Sequence, residues 1–249
     1  EDVSWPDLRV VLVDNGSTDG SGEKLAADFP AVTHMRSTEN LGFAGGSNLG
    51  IRAALDGGAD FICLLNNDTI VDPGFIEPLV NRSSQTPAAG IIGGKILYDE
   101  PEDIIWFAGG RIDGRRGFTS HRGQDEPDAP AFDEPDFTDY VTGCLFFARA
   151  SLYRELGLLD ESYFMYCEEL DLCLRAGRAG YRCFYEPGSV VRHRVSRAMG
   201  GAYRPVFYYF QTRNLLRAYN TDLMAKSGRR GRLSLAGYWR PLVAGPHLP

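Results

Sequence analysis

Short apolar runs alternate along this chain with stretches of helical character. Residues 8–13 (LRVVLV) and 61–65 (FICLL) are apolar runs that end in clusters of turn-forming polar residues, which is typical of buried strands. Between them, residues 21–29 and 49–55 favour helices, and residues 32–35 favour a short strand. Strands joined by helical crossovers predict an α/β fold whose central sheet is mainly parallel and flanked by helices.

The sequence after residue 65 predicts further strands and helices of the same sheet, with one long irregular segment between them. Residues 98–139 are irregular and acidic, and predict a long excursion loop with a hairpin near 105–119. The remaining predicted strands are 91–97, 140–149, 181–185 and 190–193, and the predicted helices are 73–81, 150–156, one within 163–178, and 207–219. Because ligands of such sheets bind at the carboxyl ends of strands, the polar loops after residues 13 and 65 are the first places to search for a site.

The composition is that of an ordinary globular protein, but the charge is unevenly distributed and the C-terminal end is basic. With 249 residues, 43% hydrophobic and 24% charged, we expect one domain over residues 1–220 and a basic tail over 221–249. The net charge is -7, yet residues 190–249 hold eleven Lys or Arg against one acid. This asymmetry predicts either a solvated tail or a surface that faces phosphates, anionic lipid or an acidic acceptor.

The cellular location follows from what the sequence lacks. There is no run of 18 apolar residues, and the first residues do not resemble a signal peptide. The five cysteines are odd in number and contain no C-x-x-C pair, so we expect reduced, mostly buried thiols in a cytoplasmic protein.

Three polar segments carry candidate chemistry at the predicted strand ends. Asn66-Asn67-Asp68 follows an apolar strand, and its carboxylate suits Mg²⁺ or Mn²⁺, although such a triplet is more often a plain turn. Asp14 to Ser17 occupies the equivalent loop, where Asp14 suits an N–H of a nucleotide base, and again a turn is the commoner role. The glycines of residues 40–48 allow close approach to a nucleotide, but they match neither a G-x-G-x-x-G motif nor a P-loop.

A second acidic segment lies among apolar and aromatic residues. Glu168 and Glu169 stand where burial would raise a carboxyl pKa and make a base, but acids also favour a first helical turn for dipole reasons. Asp171 and Arg175 are spaced for a structural i,i+4 pair. His193 suits either packing or metal binding, and the arginines beside it, at 192, 194 and 197, suit either a diphosphate or solvent.

In order, these segments resemble the family 2 glycosyltransferases of the GT-A fold, especially the bacterial rhamnosyltransferase-like branch. The resemblance covers roughly residues 8–220. The matching blocks are VVLVDNGSTDGS, ENLGFAGGSNLGI, LLNNDTIVDPGFI, VTGCLFFARASLYRELGLLDESYFMYCEELDLCLRAGRAGYR and VVRHRVSRAMGG.

The resemblance implies a role for each matching position. Glu169 matches the family's general base, with Glu168 beside it, and Asp68 matches the metal-binding acid, with His193 completing the metal shell. The residues implied for the nucleotide and donor are Asp14, Asn15, Ser17, Asn40, Gly42, Asn48, Asn67 and Gly143.

The implied enzyme is an inverting transferase that uses Mg²⁺ or Mn²⁺. Its donor would be a dTDP- or UDP-sugar and its acceptor a saccharide or lipid-linked hydroxyl in cell-envelope polysaccharide synthesis. No nucleic-acid partner is expected. The basic C-terminal region would give peripheral contact with the inner face of the plasma membrane.

Three departures and two rival functions accompany this resemblance. Asn66 stands where many relatives carry an acid, and Glu169 stands where the family usually has the shorter Asp. The strand and helix that precede residue 8 in relatives are absent from this chain. A catalytically silent sugar-nucleotide or polysaccharide-binding domain and a nucleotidyltransferase are the alternatives. The second should show a glycine-rich basic loop that the sequence lacks.

Overall fold

The computed structural model describes residues 3–113, 117–194 and 205–227, with side chains described as far as residue 221. The strands are β1 (Val11–Asn15), β2 (Thr33–Ser37), β3 (Phe61–Leu65), β4 (Thr69–Val71), β5 (Ala89–Tyr98), β6 (Ile105–Phe107), β7 (Gly110–Asp113), β8 (Phe118–His121), β9 (Asp136–Thr138), β10 (Leu145–Arg149) and β11 (Arg182–His193). The helices are α1 (Ser21–Asp28), α2 (Gly42–Asp56), α3 (Ile76–Gln85), α4 (Ala150–Leu156), α5 (Glu168–Arg178) and α6 (Pro205–Ser227).

The central sheet is mixed. Its main path runs β3-β10-β5-β11-β4, with β6 added to β5 and β9 added to β11. Within the described ranges, β5 and β11 are the only parallel neighbours in this sheet, and β10 runs antiparallel to both β3 and β5. The α/β architecture is therefore as predicted, but the sheet is less parallel than the crossover pattern suggested, because β10 returns in the opposite direction after the 98–139 excursion.

The first two strands form a separate parallel pair. β1 pairs with β2 in a register that sets Asp14 opposite Arg36. In the described ranges, β1 has no other partner, and β3 pairs only with β10. The open edges of β1 and β3 line the same cleft.

One large core lies between the central sheet and its helices. Apolar side chains of β5 and β10 are almost fully covered, including Ile91, Ile92 and Phe146. Helix α3 packs on β5 and β11, and α5 packs on α6. Since β5 is buried along nearly its whole length, it forms the rigid centre from which the neighbouring strand ends project.

Several boundaries differ from the sequence prediction. Helix α2 begins at Gly42, so most of the predicted glycine-rich loop is helical. The two predicted strands near residues 181–193 are one strand, β11, with an irregularity between Glu186 and Val190. Helix α6 continues to Ser227, so the predicted boundary between the domain and the tail, at residues 220 and 221, lies inside a helix, and residues 228–249 lie outside the described residues.

Two predictions about the chain's environment can be compared with the structure. All five cysteines are free, and four of them are buried. None of the helices in the described ranges is both long enough and apolar enough to span a bilayer.

Candidate active site

One continuous cleft, the candidate cleft, is lined by the ends of β1 and β3, the start of α5 and the end of β11. Ten of the twelve predicted site residues line it: Asp14, Asn15, Ser17, Gly42, Asn67, Asp68, Gly143, Glu168, Glu169 and His193. These residues are separated by up to 179 positions along the chain, so the fold brings them to one place. The other two, Asn40 and Asn48, are not part of its lining.

Asp14, the penultimate residue of β1, is a buried carboxylate. Its Oδ1 accepts the Ser17 backbone N–H at 2.8 Å, and Arg36 Nε lies 3.3 Å from its Oδ2. Hydrogen bonds from Ser17, with a smaller contribution from the Arg36 charge, hold the pKa of Asp14 below its usual value. The carboxylate is therefore ionised and fixed, as an acceptor for a ligand N–H must be.

Asn15 and Asn40 order the turn that starts α2. Asn15 donates to the Gly42 carbonyl at 2.8 Å and accepts the Leu41 N–H at 3.0 Å, while Asn40 accepts the Gly42 N–H at 2.9 Å. Gly42 has φ 71°, and a Cβ there would lie 2.2 Å from the Phe164 carbonyl oxygen. The glycine is thus needed for close approach of two backbone segments rather than for loop freedom.

Asn48 lies away from the cleft and is fully engaged in packing. Its amide donates to the Leu159 carbonyl and to Glu161, both at 2.9 Å, and its oxygen accepts the Leu159 N–H at 3.1 Å. At 1% exposure, this side chain fastens α2 to the segment before α5. The structure therefore gives Asn48 an anchoring role where donor contact had been expected.

Asp68 and His193 meet at the ends of β3 and β11. Asp68 Oδ1 lies 3.1 Å from His193 Nε2, and the Arg194 N–H donates to the Asp68 carbonyl at 2.8 Å. Burial opposes ionisation of Asp68, but the hydrogen bond and charge of His193 hold its pKa below the usual value. The pairing depends on β4, which places Thr69 directly opposite His193.

The environment of His193 comes from the 98–139 excursion, which sequence reasoning had left without a role. Trp106 on β6 packs edge-on against His193 at 4.6 Å and against His121 at 4.7 Å between ring centroids. His121 Nδ1 lies 3.0 Å from the Trp106 carbonyl, and burial lowers the pKa of His121 to about 4. His121 is therefore neutral near pH 7, and the excursion forms an uncharged aromatic wall beside His193.

Asp68 and His193 form a donor set of two. In the ranges that the structure describes, no group of three or more His, Cys, Asp or Glu side chains is placed to hold a metal. A carboxylate oxygen and an imidazole nitrogen 3.1 Å apart, both on the cleft, fit a divalent ion that takes its other ligands from phosphate oxygens and water. Asn67 and Asn66 add no carboxylate to this set.

Glu168 and Glu169 open helix α5, as predicted. The turn before them is unusual, because Phe164, Tyr166 and Cys167 all have positive φ angles, between 64° and 68°. Positive φ is uncommon outside glycine, and it marks a backbone that its surroundings must hold in place.

The buried amide of Asn214 on α6 holds this turn. It donates toward the carbonyls of Tyr163, Met165 and Tyr166 at 2.9, 2.7 and 2.7 Å. No signal in the sequence points to Asn214.

The two glutamates have unequal surroundings. Glu168 is 3% exposed, and burial together with the Glu169 carboxylate raises its pKa well above the usual range. Burial also raises the pKa of Glu169, but interactions with Glu168 and with the backbone N–H groups of Leu170 and Gly143 oppose the rise. The pair therefore combines a nearly enclosed carboxyl with one that backbone dipoles stabilise as an anion.

Three ion pairs near the site involve residues that the sequence singled out. Asp171 and Arg175 form the expected i,i+4 ion pair at 2.8 Å. Arg192 faces Asp72 at 3.4 Å, and Arg194 pairs with Asp99 at 2.6 Å. These two arginines are thus engaged with protein carboxylates, and the third, at position 197, lies outside the described residues.

The chain matches a family model and is similar to several known proteins. The family model described as Glycosyl transferase family 2 matches residues 1–156. An N-acetylglucosaminyl-diphospho-decaprenol L-rhamnosyltransferase of Mycobacterium tuberculosis is 29% identical over 78% of this chain and 68% of its own length. The O-antigen biosynthesis protein RfbC of Myxococcus xanthus is 27% identical over 72% of this chain, which spans 14% of that protein.

Two solved structures share the fold. GalNAc-T7 with UDP, GalNAc and Mn²⁺ matches with a TM-score of 0.61 and 19% identity, covering 86% of this chain and 42% of its own. The mannosyltransferase PcManGT from Pyrobaculum calidifontis, in complex with GDP-Man and Mn²⁺, matches with a TM-score of 0.53 and 17% identity. The match covers 98% of this chain and 73% of the mannosyltransferase chain. The chain therefore belongs to glycosyl transferase family 2, in its rhamnosyltransferase-like branch, and is a glycosyltransferase with the GT-A fold.

Proposed function

We propose that the protein transfers a sugar from a dTDP- or UDP-linked donor to a hydroxyl of a saccharide or lipid-linked acceptor, with inversion, in the synthesis of cell-surface polysaccharide. One observation carries the proposal: the Asp68–His193 pair and the Glu168–Glu169 pair both line the candidate cleft. The names of the rhamnosyltransferase and O-antigen relatives support the class of product.

The donor is proposed to lie along the ends of β1 and β3. Asp14 would accept an N–H of the pyrimidine base, since its carboxylate is ionised and its buried Oδ2 accepts no hydrogen bond within the described residues. Asn15 and Ser17 border the same end of β1, and Gly42 and Gly143 are part of the lining of the same cleft. Asn67 and Asp68 follow β3, where the diphosphate would meet them. Asn40 would act indirectly, through the turn it orders.

Asp68 and His193 are proposed to hold Mg²⁺ or Mn²⁺ on the diphosphate. A divalent ion bound there would neutralise the charge that develops on the leaving diphosphate. An uncharged wall beside His193 favours this arrangement, because a neighbouring cation at His121 would compete with the metal.

Glu169 is proposed as the general base. An acceptor hydroxyl is a weak nucleophile near neutral pH, so a carboxylate must take its proton while the oxygen bonds to the anomeric carbon. The bond from that carbon to the diphosphate breaks, and the diphosphate leaves with the electron pair. Attack from the side opposite the leaving group inverts the anomeric centre.

The test is donor turnover by the purified protein with a panel of nucleotide sugars, with Mn²⁺, Mg²⁺ or a chelator present. We expect metal-dependent release of nucleoside diphosphate and a loss of at least about 100-fold in Asp68→Ala and in Glu169→Gln. Asp56→Ala and Glu155→Gln, at exposed acids of α2 and α4, are the matched controls. Formation of a nucleoside triphosphate from the nucleotide sugar and added pyrophosphate would identify a nucleotidyltransferase, and full turnover in both site variants would refute the proposal.

A peripheral membrane contact through the basic C-terminal region is part of the proposal. Of the arginines on α6, Arg213 donates to the Tyr163 carbonyl at 2.8 Å and Arg217 pairs with Asp160 at 3.1 Å, so the contact would depend on basic residues beyond 221, whose side chains lie outside the described part. Salt-sensitive binding to anionic vesicles is expected, and equal binding to neutral vesicles would contradict it.

A further inference from the structure

The first turn of α5 contains two interacting carboxyl groups, and more backbone N–H groups act on Glu169 than on Glu168. Glu168 and Glu169 interact with each other through their side chains. Oε2 of each is fully buried and has no hydrogen-bond partner among the described residues. Two carboxylate anions cannot satisfy one another, because each offers only acceptors.

The surroundings of the pair contain no positive charge that would allow both groups to ionise. Among the described residues, neither glutamate forms an ion pair with Lys, Arg or His. The other titratable groups that act on the pair are Tyr140, Tyr166, Cys167 and Cys173. Burial raises the pKa of each of these four groups, so they are neutral near pH 7. No neighbouring cation among the described residues would therefore offset the repulsion between two negative charges on the pair.

We propose that Glu168 is a positioning residue that remains an uncharged carboxylic acid and donates its proton in a hydrogen bond to Glu169, which alone serves as the base. The negative charge lies on Glu169 because the N–H groups of Leu170 and Gly143 act on that carboxylate. Glu168 is the more enclosed of the two, at 3% exposure, and an enclosed carboxyl is more stable neutral than charged. One proton supplied by Glu168 gives both side chains a partner.

This arrangement has a consequence for the longer side chain at position 169. Glu has one more rotatable bond than Asp, so the reactive oxygen needs an additional restraint to stay at the acceptor hydroxyl. A donor fixed at Glu168 supplies that restraint on one oxygen and leaves the other for the proton of the acceptor.

The proposal rests on the transferase activity proposed above, and two substitutions separate the roles of the pair. Glu168→Gln keeps a neutral donor of nearly the same shape, so we expect kcat to fall less than about 10-fold and the acid limb of the kcat/KM profile to stay in place. Glu169→Gln removes the base, and we expect a loss of about 10² to 10⁴-fold. Glu168→Leu removes the donor, and its acid limb should move to higher pH because the Glu169 anion loses a hydrogen bond.

Either of two kinetic results would overturn the assignment. A loss in Glu168→Gln as large as in Glu169→Gln would make Glu168 the base. An acid limb shifted to lower pH in Glu168→Gln would show that Glu168 is charged in the native protein, because its replacement would then relieve repulsion.

A measurement independent of turnover keeps the proposal testable if the proposed function fails. Infrared difference spectra at pH 7 should show the carbonyl stretch of a protonated carboxylic acid in the native protein and in Glu169→Gln, but not in Glu168→Gln. If the native protein shows no carboxylic-acid band that Glu168→Gln removes, the proposal is refuted even if the enzyme is active. A protein that shows the band but turns over no donor would refute the function alone.

Discussion

Asn214 holds the unusual turn that presents the glutamate pair, and Asn214→Asp tests whether that turn depends on it. The amide nitrogen of Asn214 faces three carbonyls within 2.9 Å, and its oxygen accepts from Arg213 Nε at 2.8 Å. The side chain is fully buried. Asp has the same shape, so the substitution changes the hydrogen bonding and charge without opening a cavity.

The expected cost follows from the two donors that are lost. Each net hydrogen bond contributes about 1 kcal/mol, so two contribute about 2 kcal/mol. The carboxylate oxygen that replaces the amide also faces three carbonyls with no proton between them, which adds about 1–3 kcal/mol for unsatisfied buried acceptors. We therefore expect the free energy of unfolding to fall by about 3–5 kcal/mol near pH 7. Part of this should return at low pH, where a protonated Asp regains one donor.

The assay is urea unfolding of both proteins, followed by donor turnover. The midpoint should fall with little change in slope, since the surface exposed on unfolding is unchanged. Turnover should also fall, because relaxation of residues 164–167 would displace Glu169, the proposed base, from the acceptor hydroxyl. Asn81→Asp, at an exposed position on α3, is the control and should stay within about 0.5 kcal/mol. A change below about 1 kcal/mol in Asn214→Asp with normal turnover would refute the reasoning.

Two further predictions concern other parts of the site. The pKa of His121 is lowered to about 4 in the folded protein, against about 6.5 in the unfolded protein. The unfolded state therefore binds more protons between these pH values. The free energy of unfolding should fall by up to about 3 kcal/mol as the pH drops from 6.5 to 4. His121→Gln should remove that part of the pH dependence in unfolding titrations, and an unchanged slope would contradict it. Gly42→Ala should destabilise the fold by at least about 2 kcal/mol through strain and a clash with Phe164, whereas Gly58→Ala, with φ 75° and nothing within 4 Å, should show the strain alone. Equal effects of the two glycine substitutions on thermal unfolding would exclude the clash.

Local pattern was enough to predict the elements that carry most of the site. β1 and β3 are apolar runs closed by turn-forming residues, and α4 lies at residues 150–156, as its sequence indicates. The ends of such strands could therefore be located before any contact was known. The pairing of Asp171 with Arg175 was also predictable, since an i,i+4 spacing depends only on helix geometry.

Contacts between distant segments were not predictable in the same way. Asn48 appeared in a glycine-rich block and was assigned to the donor, but the structure joins it to Leu159, 111 residues away. The glycines of that block had indicated a loop, because glycine disfavours a helix. They lie in the first turns of α2, where Asn15 and Phe164 approach too closely for a larger side chain.

The excursion over residues 98–139 shows why an irregular segment can still determine a site. Nothing periodic in its sequence links Trp106 to His193, yet β6 pairs with β5 and brings the indole against the imidazole at 4.6 Å. His193 lies on the neighbouring strand β11, so the strand order that buries β5 also determines what surrounds the proposed metal-binding pair. Removing the wall would leave His193 more hydrated and its ring less restrained, although the Asp68–His193 contact itself would remain. The excursion therefore contributes to the electrostatics of the site. It keeps the surroundings of a proposed cation uncharged and partly desolvated, and a carboxylate and an imidazole bind a cation most strongly in such surroundings.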